Sequence, residues 1–405
     1  MTAFDLAGPL PLHQTVVLQA SAGTGKTHAV ATLAARAIAE GVVTLDQLMV
    51  ITFSSASTRE LRSRVRRRLV ELQEALVSAG EGAAVEDPAW RAVVEATCRD
   101  EALARISSAL VRFDAAMICT THQFCDRMLA ELGVLADHDP ETVAVENVDD
   151  LVEQAVDDEY LARYARTDGV PFDHATARTI GRAAVDNPYL PLVPAAGATA
   201  RGEERRSFAE AVRARVETRK RQVGLYTFDD MQTRLLEALR HPTVGETARE
   251  RVRRRFPLVL VDEFQDTDPV QWEILRESFV GHATVVLIGD PKQSIYGFRG
   301  AGVHAYLDAV RDHEAQDLGM NRRTTPELVS AVQTVFAGAQ LGAPEITVGP
   351  VDSLEETHRL VVAGPWSRSM RLRTQPGTSV RSANHQRAVD ADLTDDIARL
   401  LASGA

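Results

Sequence analysis

The stretch from Val16 to Thr27 limits the folds open to this chain more than any other. A continuously apolar run, Val16 to Ala20, passes directly into Ser21-Ala22-Gly23-Thr24-Gly25-Lys26-Thr27, and an alanine-rich segment of helical composition follows. Strand, glycine loop and helix in that order make a phosphate cradle. The glycines let the backbone wrap so that its N–H groups and the helix N-terminus face an anion, Lys26 adds a point charge, and Thr27 offers a hydroxyl to magnesium. Ala20, Ser21, Ala22, Gly23, Thr24, Gly25, Lys26 and Thr27 are therefore the expected nucleotide loop, with ATP and Mg2+ as the expected ligands. The first position is alanine where the general pattern has glycine.

Four more short apolar runs share the same logic: Leu48 to Phe53, Met117 to Thr120, Leu258 to Val261 and Thr284 to Ile288, each leading into a polar or glycine-containing motif. Continuous rather than alternating apolar character marks strands covered on both faces, as in a parallel sheet between helices. The expected fold class is α/β, a RecA-like P-loop NTPase domain with a mostly helical inserted lobe. In open sheets of this kind ligands gather at the carboxyl ends of the strands, so the motifs should converge on one cleft.

The fourth run ends in Asp262-Glu263-Phe264-Gln265-Asp266. Downstream of a phosphate loop, this acidic pair suits two jobs on one metal nucleotide: Asp262 to hold magnesium, Glu263 to orient or deprotonate an attacking water. The fifth run enters Gly289-Asp290-Pro291-Lys292-Gln293-Ser294-Ile295-Tyr296-Gly297-Phe298-Arg299. Here Gln293 is placed to sense the γ-phosphate, while Tyr296 and Phe298 are suited to stacking on bases, a contact that tolerates any sequence.

With 405 residues the chain exceeds one hydrophobic core, so two or three lobes are expected. A net charge of −12 argues against nonspecific coating of nucleic acid but leaves room for a locally basic groove. Three cysteines, Cys98, Cys119 and Cys125, have neither disulfide-framework nor metal-ligand spacing and read as inert thiols of a reducing compartment. The first residues lack the pattern of a secretory leader, and no apolar run reaches the ~20 residues of a membrane span. The expected location is the cytoplasm, with no membrane partner.

Between the third and fourth strands lies an insertion, about Gly133 to Arg255, acidic at first and basic later. Its charge runs read as solvated helix faces, although the basic portion is also of a kind that tracks a nucleic-acid backbone. Asp229 and Asp230 read as helix-start capping. Apolar Leu61, Val65, Leu69, Leu72 and Leu76 recur at helical spacing among Arg62, Arg64, Arg66, Arg67 and Arg68, giving an amphipathic helix with a basic face. A last helix is expected from Ala388 to Leu401.

Together these residues resemble superfamily one DNA helicases of the UvrD/Rep type, and within them the RecB branch, the β chains of exodeoxyribonuclease V. The likeness extends over nearly the whole chain. Ile51-Thr52-Phe53-Ser54-Ser55-Ala56-Ser57 looks like motif Ia and Thr120-Thr121-His122-Gln123-Phe124-Cys125 like the next DNA-contacting motif. The resemblance implies that single-stranded DNA runs along Thr52, Phe53, Ser54, Thr121, His122 and Phe124. Leu318-Gly319-Met320-Asn321-Arg322-Arg323-Thr324 resembles motif IV, which makes Arg323 an arginine finger within the chain. Family members usually carry an adenine-stacking aromatic where Arg322 stands; a guanidinium plane is able to stack instead. No upstream glutamine motif is evident.

The resemblance implies a 3′-to-5′ ATP-dependent DNA helicase of repair and recombination, with single-stranded and duplex-end DNA and RecC- and RecD-like subunits as partners. It divides the chain into a first RecA-like part (1–132), the inserted lobe (133–255), a second RecA-like part (256–316) and the start of a second RecA-like lobe (317–405). Two further family motifs and the RecB nuclease domain are not found before Ala405, so a truncated motor without nuclease activity is expected. The competing reading is an ATP- and DNA-binding fragment without productive turnover. A P-loop kinase would leave the DNA-contacting motifs unexplained.

Overall fold

All five apolar runs are strands, and burial on both faces explains their composition. The computed structural model describes residues 2–136, 142–167, 169–188, 190–193, 199–295, 303–354, 370 and 382–402. We number its main-sheet strands β1 (Thr2–Ala3), β2 (Thr15–Ala20), β3 (Leu48–Thr52), β4 (Met117–Thr120), β5 (Leu258–Val261), β6 (Thr284–Gly289) and β7 (Glu314–Leu318). They run β1-β7-β2-β6-β5-β3-β4 across the sheet, and every pairing is parallel.

Side chains along a strand point alternately to the two faces, and here each face has its own core. Val17, Met49, Ile51, Val259, Val261, Val285 and Leu287 enter one cluster, while Val16, Leu18, Leu48, Val50, Leu258, Leu260, Val286 and Ile288 enter the other. The second face is covered by α1 (Lys26–Ala39), α2 (Ser55–Gly80), α3 (Pro88–Ala96) and α4 (Arg99–Val111). On α2 the five apolar residues singled out by their spacing are all buried. Its basic face is largely spent on structure. Arg62 donates to the carbonyls of Phe113, Asp114 and Ala116, Arg66 to that of Leu110, and Arg64 pairs with Glu60 at 2.6 Å. Arg68 is buried over the Trp90 ring, 3.9 Å from its centroid, between Glu71 and Asp87.

After β4 comes α5 (Thr121–Leu132), and the insertion then divides between two packing environments. α6 (Asp149–Tyr164), α7 (His174–Asp186) and α8 (Ala200–Val223) enclose a separate core around Val152, Val156, Phe172, Phe208 and Val212. α9 (Phe228–Arg240) and α10 (Gly245–Arg255) instead join α5 and α11 (Pro269–Ser278) in the core of the first sheet face, through Met231, Leu235, Leu239, Ala248 and Val252. Thr227 and Asp230 form the capping box that starts α9, the role expected of Asp230. α12 (Val303–Asp312) leads into β7, and α13 (Pro326–Phe336) and α14 (Ser382–Ala402) follow, the last beginning six residues before the expected Ala388. β1 and β7 carry no apolar run: β1 is a two-residue edge strand, and β7, next to it, is polar, with Thr2–Ala3 and most of Glu314–Leu318 not buried.

Cys119 and Cys125 are buried, and burial pushes both thiols up, so neither ionises near neutrality. Among the described residues no helix is long and apolar enough to cross a membrane.

Leu235 on α9 is fully buried, whereas Leu161 on α6 is 61% exposed. Leu235→Ala should cost about 2–5 kcal/mol in urea unfolding, and Leu161→Ala should stay within about 0.5 kcal/mol of the parent.

Candidate functional site

Strand ends bring the motifs to one edge of the sheet. β2 stops at Ala20 and α1 starts at Lys26, with Gly25 capping the helix at φ 90° and Gly23 at φ +83°, the left-handed region that glycine adopts freely. The first turn of α1 carries no acidic residue, so the positive end of the helix is left for an anion. Thr24 is buried, and its hydroxyl donates to the Ser21 carbonyl at 2.8 Å, fixing the turn of the loop.

Three polar side chains meet at the loop's mouth. Lys26 Nζ lies 2.6 Å from Glu263 Oε2 and donates to Gln293 Oε1 at 3.4 Å. Glu263 has φ 54°, ψ 42°, a left-handed conformation that costs a non-glycine residue roughly 1 kcal/mol or more. Glu263 stands two residues after β5, at the start of a short 3-10 turn (Phe264–Asp266), with its side chain 30% exposed beside Lys26. Asp262, one residue earlier, is only 5% exposed; its backbone N–H donates to the Ile51 carbonyl at 2.8 Å and its Oδ1 accepts from Glu263 N at 3.1 Å. Burial, with the neighbouring Glu263 charge adding and Lys26 opposing, pushes the Asp262 carboxyl up to about 7.

Gln265 joins the acidic turn to the sensor strand. Its Nε2 donates to Glu263 Oε2 at 2.8 Å and Asp266 Oδ2 at 3.3 Å, and its Oε1 accepts from Asp290 N at 2.9 Å. The approach needs Gly289: a Cβ there would stand 2.8 Å from Gln265 Oε1 and 3.1 Å from its backbone nitrogen. Asp290, 1% exposed, accepts from Lys292 Nζ and Gln293 Nε2, each at 2.7 Å, which turns the Gln293 oxygen toward Lys26.

A segment from the far end of the chain closes on the loop. Asn321 Nδ2 donates to the Ala22 carbonyl at 3.0 Å, and Arg322 N to the Gly23 carbonyl at 2.8 Å. Asn321 Oδ1 accepts from Arg323 N at 2.8 Å and Thr324 N at 2.9 Å. A Cβ on Gly23 would meet Asn321 at 2.8 Å and Arg323 Cβ at 3.1 Å, so Arg323 stands against the loop. Beside it opens a cleft of about 860 Å³ whose walls include Phe4, Leu6, His28, Asp87 and Arg322.

The two segments likened to DNA-contacting motifs end the paired strands β3 and β4. Ser54 caps α2 by accepting from Ser57 N at 3.1 Å, and Thr120 caps α5 with Gln123 in a capping box. Ser54, Phe53 and His122 are partly exposed here. Thr52 and Thr121 are buried, and Phe124 is fully buried, its ring 6.2 Å from that of Phe279. Phe124, expected along the DNA path, is the fourth residue of α5, and its side chain packs into the core of the first sheet face. Tyr296 and Phe298 lie outside the described residues.

Residues 2–314 match the UvrD/REP helicase N-terminal domain, and the chain belongs to that family. It is 44% identical over 419 aligned residues to the RecBCD enzyme subunit RecB of Mycolicibacterium smegmatis, an alignment covering all of this chain and 38% of that protein. The Mycobacterium tuberculosis H37Rv protein of the same name is 42% identical over the same shares. That of Escherichia coli K12 is 37% identical over 188 residues, 45% of this chain and 16% of the relative. This chain thus spans 38% of the length of the mycobacterial relatives.

Sequence reasoning gave no role to Asn321 or Gln265, although both stand inside quoted motifs; a side-chain amide reveals its purpose only when its partners are placed. Asn321→Ala should weaken Mg·ATP binding about fivefold to thirtyfold, the worth of one or two hydrogen bonds, in a fluorescent-nucleotide titration. Unchanged affinity would show that the clamp on Ala22 is irrelevant to the loop.

Proposed function

We propose that this chain is the ATP-binding part of an ATP-dependent DNA helicase or translocase that moves 3′ to 5′ on single-stranded DNA in repair and recombination. The observation that carries the reading is the meeting of Lys26 with Glu263 at 2.6 Å and Gln293 at 3.4 Å at the mouth of a phosphate loop. Residues 1–132 and 256–316 form its RecA-like domain, 133–255 the insertion, and 317–405 the start of a second lobe.

The donor set fits a magnesium nucleotide. The Thr27 hydroxyl and the Asp262 carboxylate are hard oxygen ligands, and the raised pKa of Asp262 reflects buried negative charge that a cation relieves. Mg·ATP, when bound, supplies the scissile phosphoryl bond and the cation that neutralises it. Residues Ala20 to Thr27 bind the phosphates through backbone N–H groups, with Lys26 exchanging Glu263 for them. Glu263, released, takes a proton from the attacking water; Gln293 senses the γ-phosphate and Arg323 stabilises its charge. The base rests in the cleft beside Phe4 and Arg322.

DNA lies across the neighbouring N-termini of α2 and α5, where backbone N–H groups favour phosphate oxygens. Phe53, Ser54 and His122 are the accessible side chains, the buried Thr52, Thr121 and Phe124 shape the backbone along the path, and Tyr296 and Phe298 stack on bases. The relatives' name, subunit of a RecBCD enzyme, supports RecC- and RecD-like partners.

The test is steady-state ATP hydrolysis with and without single-stranded DNA. Turnover should rise with DNA and fall at least about a hundredfold in Lys26→Ala. Binding of both ligands without turnover would instead leave a nucleotide- and DNA-binding module.

A further inference from the structure

One side-chain contact within the DNA motif has a partner that the reading above leaves without a role. Gln232, 1% exposed on α9, has its Nε2 3.1 Å from His122 Nε2 on the first turn of α5. An amide nitrogen only donates. With the amide in this orientation His122 Nε2 accepts, which assigns the ring proton to Nδ1. Burial lowers the pKa of His122, with Asp229 of α9 opposing, so the ring is neutral near pH 7. The other nearby charges of α8 and α9 are engaged with each other: Lys220 is buried at 2.6 Å from Asp230.

The remaining half of the Gln232 amide gains nothing. Its Oε1 is buried without a hydrogen-bond partner, an arrangement that costs stability, and an apolar residue would fill the same space without it. The amide is explained if its N–H is needed at His122. Its helix is also well fixed to hold it there: the Thr227–Asp230 capping box starts α9, and the Asp230 carboxylate that closes it is the one holding Lys220. The ring of Phe228 packs edge-on against His122, with centroids 5.4 Å apart.

We propose that Gln232 is a positioning residue for DNA binding, holding His122 as its Nδ1–H tautomer so that this N–H donates to a backbone oxygen of the bound strand. The proposal rests on His122 being a DNA contact. A neutral donor adds a hydrogen bond but displaces no counterion, so its loss weakens binding without changing the salt dependence.

The test combines 15N-histidine spectra of the full chain with anisotropy titrations of a fluorescein-labelled oligothymidylate at several salt concentrations. In the parent, His122, assigned through His122→Asn, should show an unprotonated Nε2 and a protonated Nδ1. Gln232→Leu should mix the tautomers and weaken binding about threefold to tenfold, with the slope of log affinity against log salt unchanged. A protonated Nε2 in the parent overturns the proposal, and does so even if the variant fails to fold. So does a Gln232→Leu protein with parental tautomer and affinity while His122→Asn binds weakly. If His122→Asn itself binds like the parent, the DNA reading of His122 fails and the proposal with it.

Discussion

The site is organised around the ion pair between Lys26 and Glu263, side chains 237 positions apart in the chain. Lys26 pairs with Glu263 in a turn that also carries Asp262 and Asp266, and its charge opposes the rise in pKa at both aspartates. Without it, carboxylates packed at the end of a buried strand would repel one another in a medium that screens poorly. The same ammonium is the one charge the phosphate loop offers to an anion. In the function proposed above, nucleotide and Glu263 compete for Lys26, and binding would unmask the carboxylate where water is to be activated.

The fold meets this requirement by parallel register. β2 pairs with β6 and β6 with β5, so Ala20, Gly289 and Val261 finish on the same edge and their loops face one another. Gln265 then ties the acidic turn to Asp290, and Asp290 aims Gln293 at Lys26. Asn321 adds a second hold from the opposite side by gripping the Ala22 carbonyl. Side-chain amides thus connect Lys26 to β6, and the shared sheet connects it to β3 and β4, which carry the N-termini of α2 and α5.

The central strands and the phosphate loop were legible because their physics is local: burial on both faces demands unbroken apolar runs, and the cradle needs glycine where φ is positive. The two outer strands on one side were not, since Glu314–Leu318 is held by pairing with β2 and β1 and has little apolar surface to advertise it. Motif resemblance located Thr121, His122 and Phe124 together, but periodicity along α5 decides which of them faces solvent, and Phe124 falls on the inner side. Arginines Arg62 and Arg66 looked like a basic face, yet carbonyls from a distant turn claim them. Contacts made by Asn321, Gln265 and Gln232 depend on partners brought by the fold, which no spacing rule encodes.

The competition for Lys26 is open to direct measurement in Glu263→Gln, which keeps the shape of the side chain and removes its charge. Mg·ATP should bind about threefold to tenfold more tightly than to the parent, equivalent to roughly 0.7–1.4 kcal/mol, while hydrolysis falls at least about a hundredfold. Weaker nucleotide binding in Glu263→Gln, or hydrolysis at the parental rate, would contradict the account.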